Sequence, residues 1–209
     1  MRRGPGWIVT LVAFAALVYI TVNTLRTTGP GSTGPTAGAQ LREFAAPLVL
    51  SDLDGDANVA TAPDQGAAGA RPACAIEDPR ALNVCRLVRE RPLVLAFLTA
   101  GAERCVAELD AIEAVAPRFP DVAFAAVAIR GDRDELRELV REHGWSFPVA
   151  QDRDGAVANI YGIAVCPTVV LAYRGGEVRE SALGEEVATP ARLARKVRAL
   201  RAGPPEGSG

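Results

Sequence analysis

Leu93-Val94-Leu95-Ala96-Phe97-Leu98-Thr99-Ala100-Gly101-Ala102-Glu103-Arg104-Cys105 is the stretch on which the fold turns. Its first six residues are apolar without a break, the length of one strand buried on both faces. A helix is expected from about Glu103 to Ala116, because Cys105, Leu109, Ile112 and Val115 recur at spacings of four, three and three and make one stripe. Pro117 and Pro120 close it, since proline cannot supply the amide that a helix interior uses. Cys105 therefore falls in the first turn of a helix, where the positive end of the dipole favours a thiolate. Arg104 acts in the same direction and Glu103 against it. Cys105 also lies on the buried stripe, and apolar surroundings raise a thiol pKa.

Outward from this stretch, strands and helices alternate. Val122 to Ile129 is a second buried strand, and Gly131-Asp132 opens a helix over Arg133 to His143 with Leu136, Leu139 and Val140 on one face. Phe147 to Ala150 is a short extended piece, Asp152 to Gly155 a turn, and Ala156 to Tyr161 a short helix. Cys166 to Tyr173 is another strand, and Arg174-Gly175-Gly176-Glu177 turns it back into Val178 to Leu183. The last helix starts after Thr189, a good N-cap with Pro190 at the first helical position, and runs to Arg201. Alternation first and a hairpin last imply an α/β domain with a mixed sheet and helices on both faces.

That order, with these residues in these places, resembles the thioredoxin-like superfamily, in particular the redoxin branch of membrane-anchored TlpA-like oxidoreductases and AhpC/TSA-type proteins. The resemblance covers roughly residues 44 to 200. Phe97 to Cys105 matches the family's strand-to-helix turn, and Cys105-Val106-Ala107-Glu108-Leu109 the Cys-x-x-Glu-Leu that follows its dithiol motif. Tyr161 to Thr168 matches the Tyr-Gly-Val…Pro-Thr loop, whose proline is cis in the family. Ala46-Pro47 to Asp54-Gly55 resembles its N-terminal hairpin. One departure stands out: the family's Cys-x-x-Cys is here Ala102-Glu103-Arg104-Cys105, and the first thiol is missing.

The chain has four cysteines, Cys74, Cys85, Cys105 and Cys166. Four cysteines allow three pairings, and an even count suits disulfides in an exported domain. Cys74 and Cys85 flank a short segment in a Pro- and Ala-rich insertion with little apolar content, and a structural disulfide between them is expected. Closing so short a loop would contribute roughly 3 kcal/mol by chain entropy. The rival is a redox pair that relays electrons to Cys105. For Cys105 and Cys166 the resemblance implies that the helix start and the cis-proline loop face each other. The expectation is a redox-active pair in which Cys166, the more exposed, attacks and Cys105 resolves. Pro167, Ala102, Arg104 and Thr168 would line the substrate groove. The alternative is two buried cysteines acting as small hydrophobes.

Residues 7 to 25 carry no charge and are long enough to cross a bilayer as a helix. Arg2 and Arg3 precede them and Arg26 follows, which favours an inside N-terminus. A cleaved signal peptide is the competing reading, but the small-x-small site Ala37-Gly38-Ala39 lies far downstream. The expected organisation is a cytoplasmic N-terminus (1–6), a transmembrane anchor (7–25), a flexible linker (26–40), a thioredoxin-like domain (41–202) and a disordered tail (203–209). As a coil the linker would span on the order of 20 Å. The net charge of -2, with no basic tract, argues against a nucleic-acid partner. No cofactor and no metal are expected.

Other features are discounted. Asp52 to Asp56 begins like a calcium loop, but Pro63 stands where the distal acidic ligand is needed. His143, the single histidine, precedes Gly144 near a helix C-terminus, where a capping role is ordinary. Trp145 and Phe147 are expected to pack at the core edge. Glu108 is expected to face away from the Leu109 stripe into solvent, with proton transfer as its alternative. A peroxiredoxin places threonine three residues before its reactive cysteine and proline seven before; here Ala102 and Leu98 occupy those positions. The leading expectation is an extracytoplasmic, membrane-anchored thiol–disulfide oxidoreductase acting on protein thiols or disulfides or on a redox partner protein. Its rivals are a non-catalytic thioredoxin-fold binding module and a thiol peroxidase with Cys105 as the peroxidatic residue.

Overall fold

In chain order the elements are β1 (Ala45–Pro47), β2 (Ala81–Asn83), α1 (Val84–Glu90), β3 (Leu93–Thr99), α2 (Glu103–Val115), β4 (Ala123–Arg130), α3 (Arg133–His143), β5 (Val149–Gln151), α4 (Ala156–Tyr161), β6 (Thr168–Ala172), β7 (Val178–Leu183) and α5 (Pro190–Arg201). They come from a computed structural model that describes residues 14–17, 33–65 and 70–204. A five-stranded sheet has the order β5-β4-β3-β6-β7. The central strand β3 is parallel to β4 and antiparallel to β6. This is the mixed sheet expected from helical crossovers followed by a hairpin.

The unbroken apolar run of β3 serves two cores because side chains alternate across a strand. Val94, Ala96 and Leu98 face the layer that holds Leu109 and Ile112 of α2, Leu136 of α3 and Val197 of α5. Leu93, Leu95 and Phe97 face the other layer, with Val88 of α1 and Val157 and Tyr161 of α4. Local chemistry sets the helix ends. Asp132 and Glu135 form a capping box at the start of α3, and Gly144 ends it in the left-handed conformation. The Thr189 side chain caps α5 ahead of Pro190. The buried Asp152 carboxylate accepts hydrogen bonds from the Val157 and Ala158 amides and so starts α4. Trp145 and Phe147 are 5% and 7% exposed, and His143 contacts the Asp110 carboxylate that also accepts from the Trp145 indole.

Three sequence expectations change here. The segment between Cys74 and Cys85 is not a loose insertion: it contains β2 and opens α1, with Leu82, Val84 and Val88 buried. The N-terminal hairpin is also built differently. β1 pairs antiparallel with β2, and the chain returning from Gly55 meets β1 only at the single bridge Ala45–Asn58. Finally, a free linker does not extend to Gln40. From Thr33 the chain is laid on the domain: Thr33 bridges Ile163, the Gly38 amide donates to Val178 O at 2.8 Å, and Gln40 bridges Glu177. Backbone hydrogen bonds to the domain replace the apolar contacts that this Gly- and Pro-rich segment lacks.

Most of the expected anchor and linker, and the tail from residue 205, lie outside the described residues; residues 14–17 are helical. No helix among the described residues is long and apolar enough to cross a membrane.

Candidate functional site

Strand register builds the site. Phe97 at the carboxyl end of β3 pairs with Thr168 at the start of β6. The turn that leads into α2 and the loop that leads into β6 are therefore brought side by side. Gly131 allows the neighbouring β4–α3 turn to pack close. Its φ is +129°, and a Cβ there would stand 2.6 Å from Ala100 Cβ. The loop before β6 is held by the Thr168 hydroxyl donating to Val165 O at 2.7 Å, by the Gly184 amide donating to Pro167 O at 3.1 Å, and by a cis Cys166–Pro167 peptide bond.

This juxtaposition joins Cys105 to Cys166 in a disulfide with a Cα–Cα distance of 5.6 Å. The two sulfurs differ in access. Cys105 is 1% exposed among the apolar residues under α2, whereas Cys166 is partly exposed. Cys166 borders two clefts. One, of about 450 Å³, also takes in Arg104, Glu108, Val165 and Pro167. The other, of about 560 Å³, takes in Ala102, Arg130 and Ile163. An incoming sulfur therefore has open approaches to Cys166, whereas Cys105 is buried. Ala102, the N-cap residue of α2, faces the cleft where the family's first thiol would stand. Thr168 does not line the groove as expected. It is fully buried, and its hydroxyl is engaged in holding the loop.

Glu108 is the main correction. It is not solvated: it is 1% exposed, and neither carboxylate oxygen has a hydrogen-bond partner among the described residues. It follows Cys105 by three residues, so it lies one turn further along α2 on the same inward side. Loss of solvent pushes its pKa from 4.5 up to about 9. At neutral pH it is a protonated acid with a free O–H beside the cleft that holds Cys166. A stripe drawn through Leu109 alone misses it, while one drawn through Cys105, Ile112 and Val115 passes close to it.

Cys74 and Cys85 form a second disulfide, with a Cα–Cα distance of 5.4 Å. It borders a different cavity, shared with Glu43 and with Gly175 and Gly176 of the β6–β7 turn. That turn lies beyond Ala172, which pairs with Leu93 at the opposite end of β3 from Phe97. Seven strand residues separate the two ends by about 20 Å. A direct relay of electrons between the pairs would need sulfur-to-sulfur contact, and this separation does not provide it. Glu43, Cys74 and Cys85 also bring three potential metal-ligand atoms within 4.8 Å of one another.

A family model described as the AhpC/TSA family matches residues 78–181. Thiol-disulfide oxidoreductase ResA of Bacillus thuringiensis is 24% identical over 101 residues, which are 47% of this chain and 58% of that protein. The chain thus spans somewhat more than half the length of the curated relative it matches. A secreted Mycobacterium tuberculosis disulfide oxidoreductase, described as homologous to E. coli DsbE, is 26% identical with a TM-score of 0.53, covering 57% of this chain and 89% of that one. Peroxidoxin BcpB of M. tuberculosis shares the fold at 14% identity and a TM-score of 0.58, covering 81% of this chain and 99% of that one.

Proposed function

We propose that this chain, which belongs to the thioredoxin-like redoxin superfamily, is a thiol–disulfide oxidoreductase whose two-electron couple is Cys105–Cys166. The observation that carries this reading is the unequal access of the two bonded sulfurs, with the buried Glu108 one helical turn beyond the buried one.

In the oxidising direction a substrate thiolate attacks Cys166 Sγ from the open side. The Cys105–Cys166 bond breaks, a substrate–Cys166 bond forms, and Cys105 leaves with the electron pair. The start of α2 stabilises the departing thiolate, and Glu108 supplies its proton. A second substrate thiolate then attacks the substrate sulfur of the mixed disulfide. The substrate departs as a disulfide and Cys166 is left reduced. Run backwards, Cys166 attacks a substrate disulfide and Cys105 resolves the adduct. Protein thiols are the fitting substrate class, because Val165, 48% exposed, offers an apolar contact directly beside Cys166. Leu98 is fully buried and Ala102 has no polar side-chain atom, so neither can hold a peroxide as the peroxidatic reading requires.

The same proposal places the domain outside the cytoplasm, tethered by the uncharged residues 7 to 25. The arginines around that run and the two disulfides support this placement. Mild stepwise reduction with differential alkylation and mass spectrometry tests the couple. The Cys105–Cys166 bond is expected to open first. If Cys74–Cys85 opens first, or if Cys166 stays unalkylated after reduction, the assignment fails. Protection of the domain from external protease in intact cells would overturn the location.

A further inference from the structure

The second disulfide sits in a setting that a purely structural crosslink does not require. Cys74 and Cys85 are both partly exposed and border a cavity of about 310 Å³. Glu43 reaches the same place, and one ligand atom from each of the three residues lies within 4.8 Å of the others. The backbone that carries these residues is held independently of the sulfur–sulfur bond. The Asn83 side-chain amide donates to Ala73 O at 2.9 Å and to Ile76 O at 2.8 Å, bracketing Cys74, and its oxygen caps α1, the helix that carries Cys85 in its first turn. Glu43 is placed by the adjoining β1–β2 ladder, in which Ala45 pairs with Asn83 and the Val84 amide donates to Phe44 O at 3.1 Å. Opening the disulfide thus leaves two thiols and a carboxylate facing one cavity.

We propose that Glu43, Cys74 and Cys85 form a redox-gated site for a divalent thiophilic cation of the zinc class, closed while the disulfide is intact and open once it is reduced. The gating step uses a dithiol reductant. Its two thiols become a disulfide, the Cys74–Cys85 bond takes the two electrons, and each sulfur gains a proton. The cation then displaces both protons and binds two thiolates and one carboxylate oxygen. Two soft sulfurs with one carboxylate suit zinc over magnesium or calcium, and the cavity leaves room for water as a fourth ligand. The oxidised pair offers no thiolate and holds no cation.

Cobalt(II) titration of the full chain tests this. Cys105→Ser and Cys166→Ser are introduced together to remove the other thiols. The oxidised chain is expected to bind no cobalt. After reduction and removal of the reductant it should take up one equivalent, with a thiolate-to-metal charge-transfer band that zinc abolishes. Glu43→Gln keeps both thiols and should weaken binding at least tenfold while leaving the titratable thiol count unchanged. Failure of the reduced chain to take up cobalt would overturn the site. Unchanged affinity in Glu43→Gln, or equal uptake in the oxidised chain, would overturn it as well. Circular dichroism before and after reduction covers the remaining route to failure: loss of helix that cobalt does not restore also counts against the proposal.

Discussion

Cys105 and Glu108 lie one turn apart on the same inward side of α2, and each is 1% exposed. A buried sulfur is thereby followed, one turn on, by a buried acid that has no hydrogen-bond partner among the described residues. Burial disfavours the anion of each group, so proton transfer from Glu108 to a departing Cys105 thiolate moves one buried negative charge within the pair and creates no second one.

This pairing has a kinetic consequence. Glu108→Gln removes the exchangeable proton while keeping the shape of the side chain. Reduction of the Cys105–Cys166 bond by a dithiol at pH 7 is expected to slow by about a hundredfold or more, the scale of lost acid–base catalysis. In the native chain the rate profile should inflect near pH 9, where Glu108 ionises. Stopped-flow reduction across pH reads both effects. An inflection that persists in the variant would assign it to another group.

Stability should carry the same signature. Between pH 4.5 and about 9 the unfolded chain ionises Glu108 while the native chain keeps it protonated. The native state then binds more protons, so this group lowers stability as pH rises through the window and adds no further loss once the folded group ionises too. The cost at pH 7 is roughly 3 kcal/mol. Urea midpoints of Glu108→Gln are therefore expected to vary less with pH across this window than those of the native chain. Parallel curves would contradict the buried, protonated state.

Unequal access predicts which sulfur carries the adduct. With a thiol-bearing peptide disulfide, reduced Cys105→Ser should accumulate a stable mixed disulfide at position 166, because no resolving thiol remains. Cys166→Ser should accumulate far less, since Cys105 is buried. Intact-mass and tryptic mass spectrometry distinguish the two. Equal trapping in both variants would show that Cys105 is also open to attack.

Ala102→Cys restores the family's spacing. Position 102 caps the helix whose third residue is Cys105, and the Cys105 amide donates to Ala102 O at 2.9 Å. The introduced thiol competes with Cys166 for Cys105, and peptide mapping is expected to find a fraction of chains with the bond moved within α2 and Cys166 free. A bond wholly retained at Cys166 would mean that the loop geometry outweighs the local pairing.

Asn83 ties the Cys74 turn to α1. Asn83→Ala removes one buried and one partly buried hydrogen bond and a helix cap, for a loss of roughly 3 kcal/mol. Denaturant unfolding should show that loss, with faster reduction of Cys74–Cys85 and little change at Cys105–Cys166. Faster opening of both bonds alike would point to a global effect.

The elements from β3 to α5 were legible in the sequence because their signals are local. An apolar run marks β3, a stripe marks α2, and Asp132, Gly144 and Thr189-Pro190 mark helix ends. β2 and α1 escaped because their apolar residues are interrupted by Asn83, Cys85, Arg86 and Arg89, next to Pro-, Ala- and Arg-rich sequence, and form no unbroken apolar run. The docking of residues 33–40 escaped because backbone hydrogen bonds to a distant strand leave no mark on side-chain type.

By itself the sequence determined the order of strands and helices, the thiol missing at Ala102 and the presence of a cysteine before Pro167. Whether that cysteine meets Cys105 depended on the register that sets Phe97 against Thr168, a contact between segments far apart in the chain. The state of Glu108 was likewise decided only in three dimensions. Helical spacing places a carboxyl near one side of a helix, but its burial, at the edge of a cleft shared with the loop before β6 and the end of β7, is set by tertiary packing. Burial is a property of the packed layers, and burial is what turns an ordinary glutamate into an acid that keeps its proton at neutral pH.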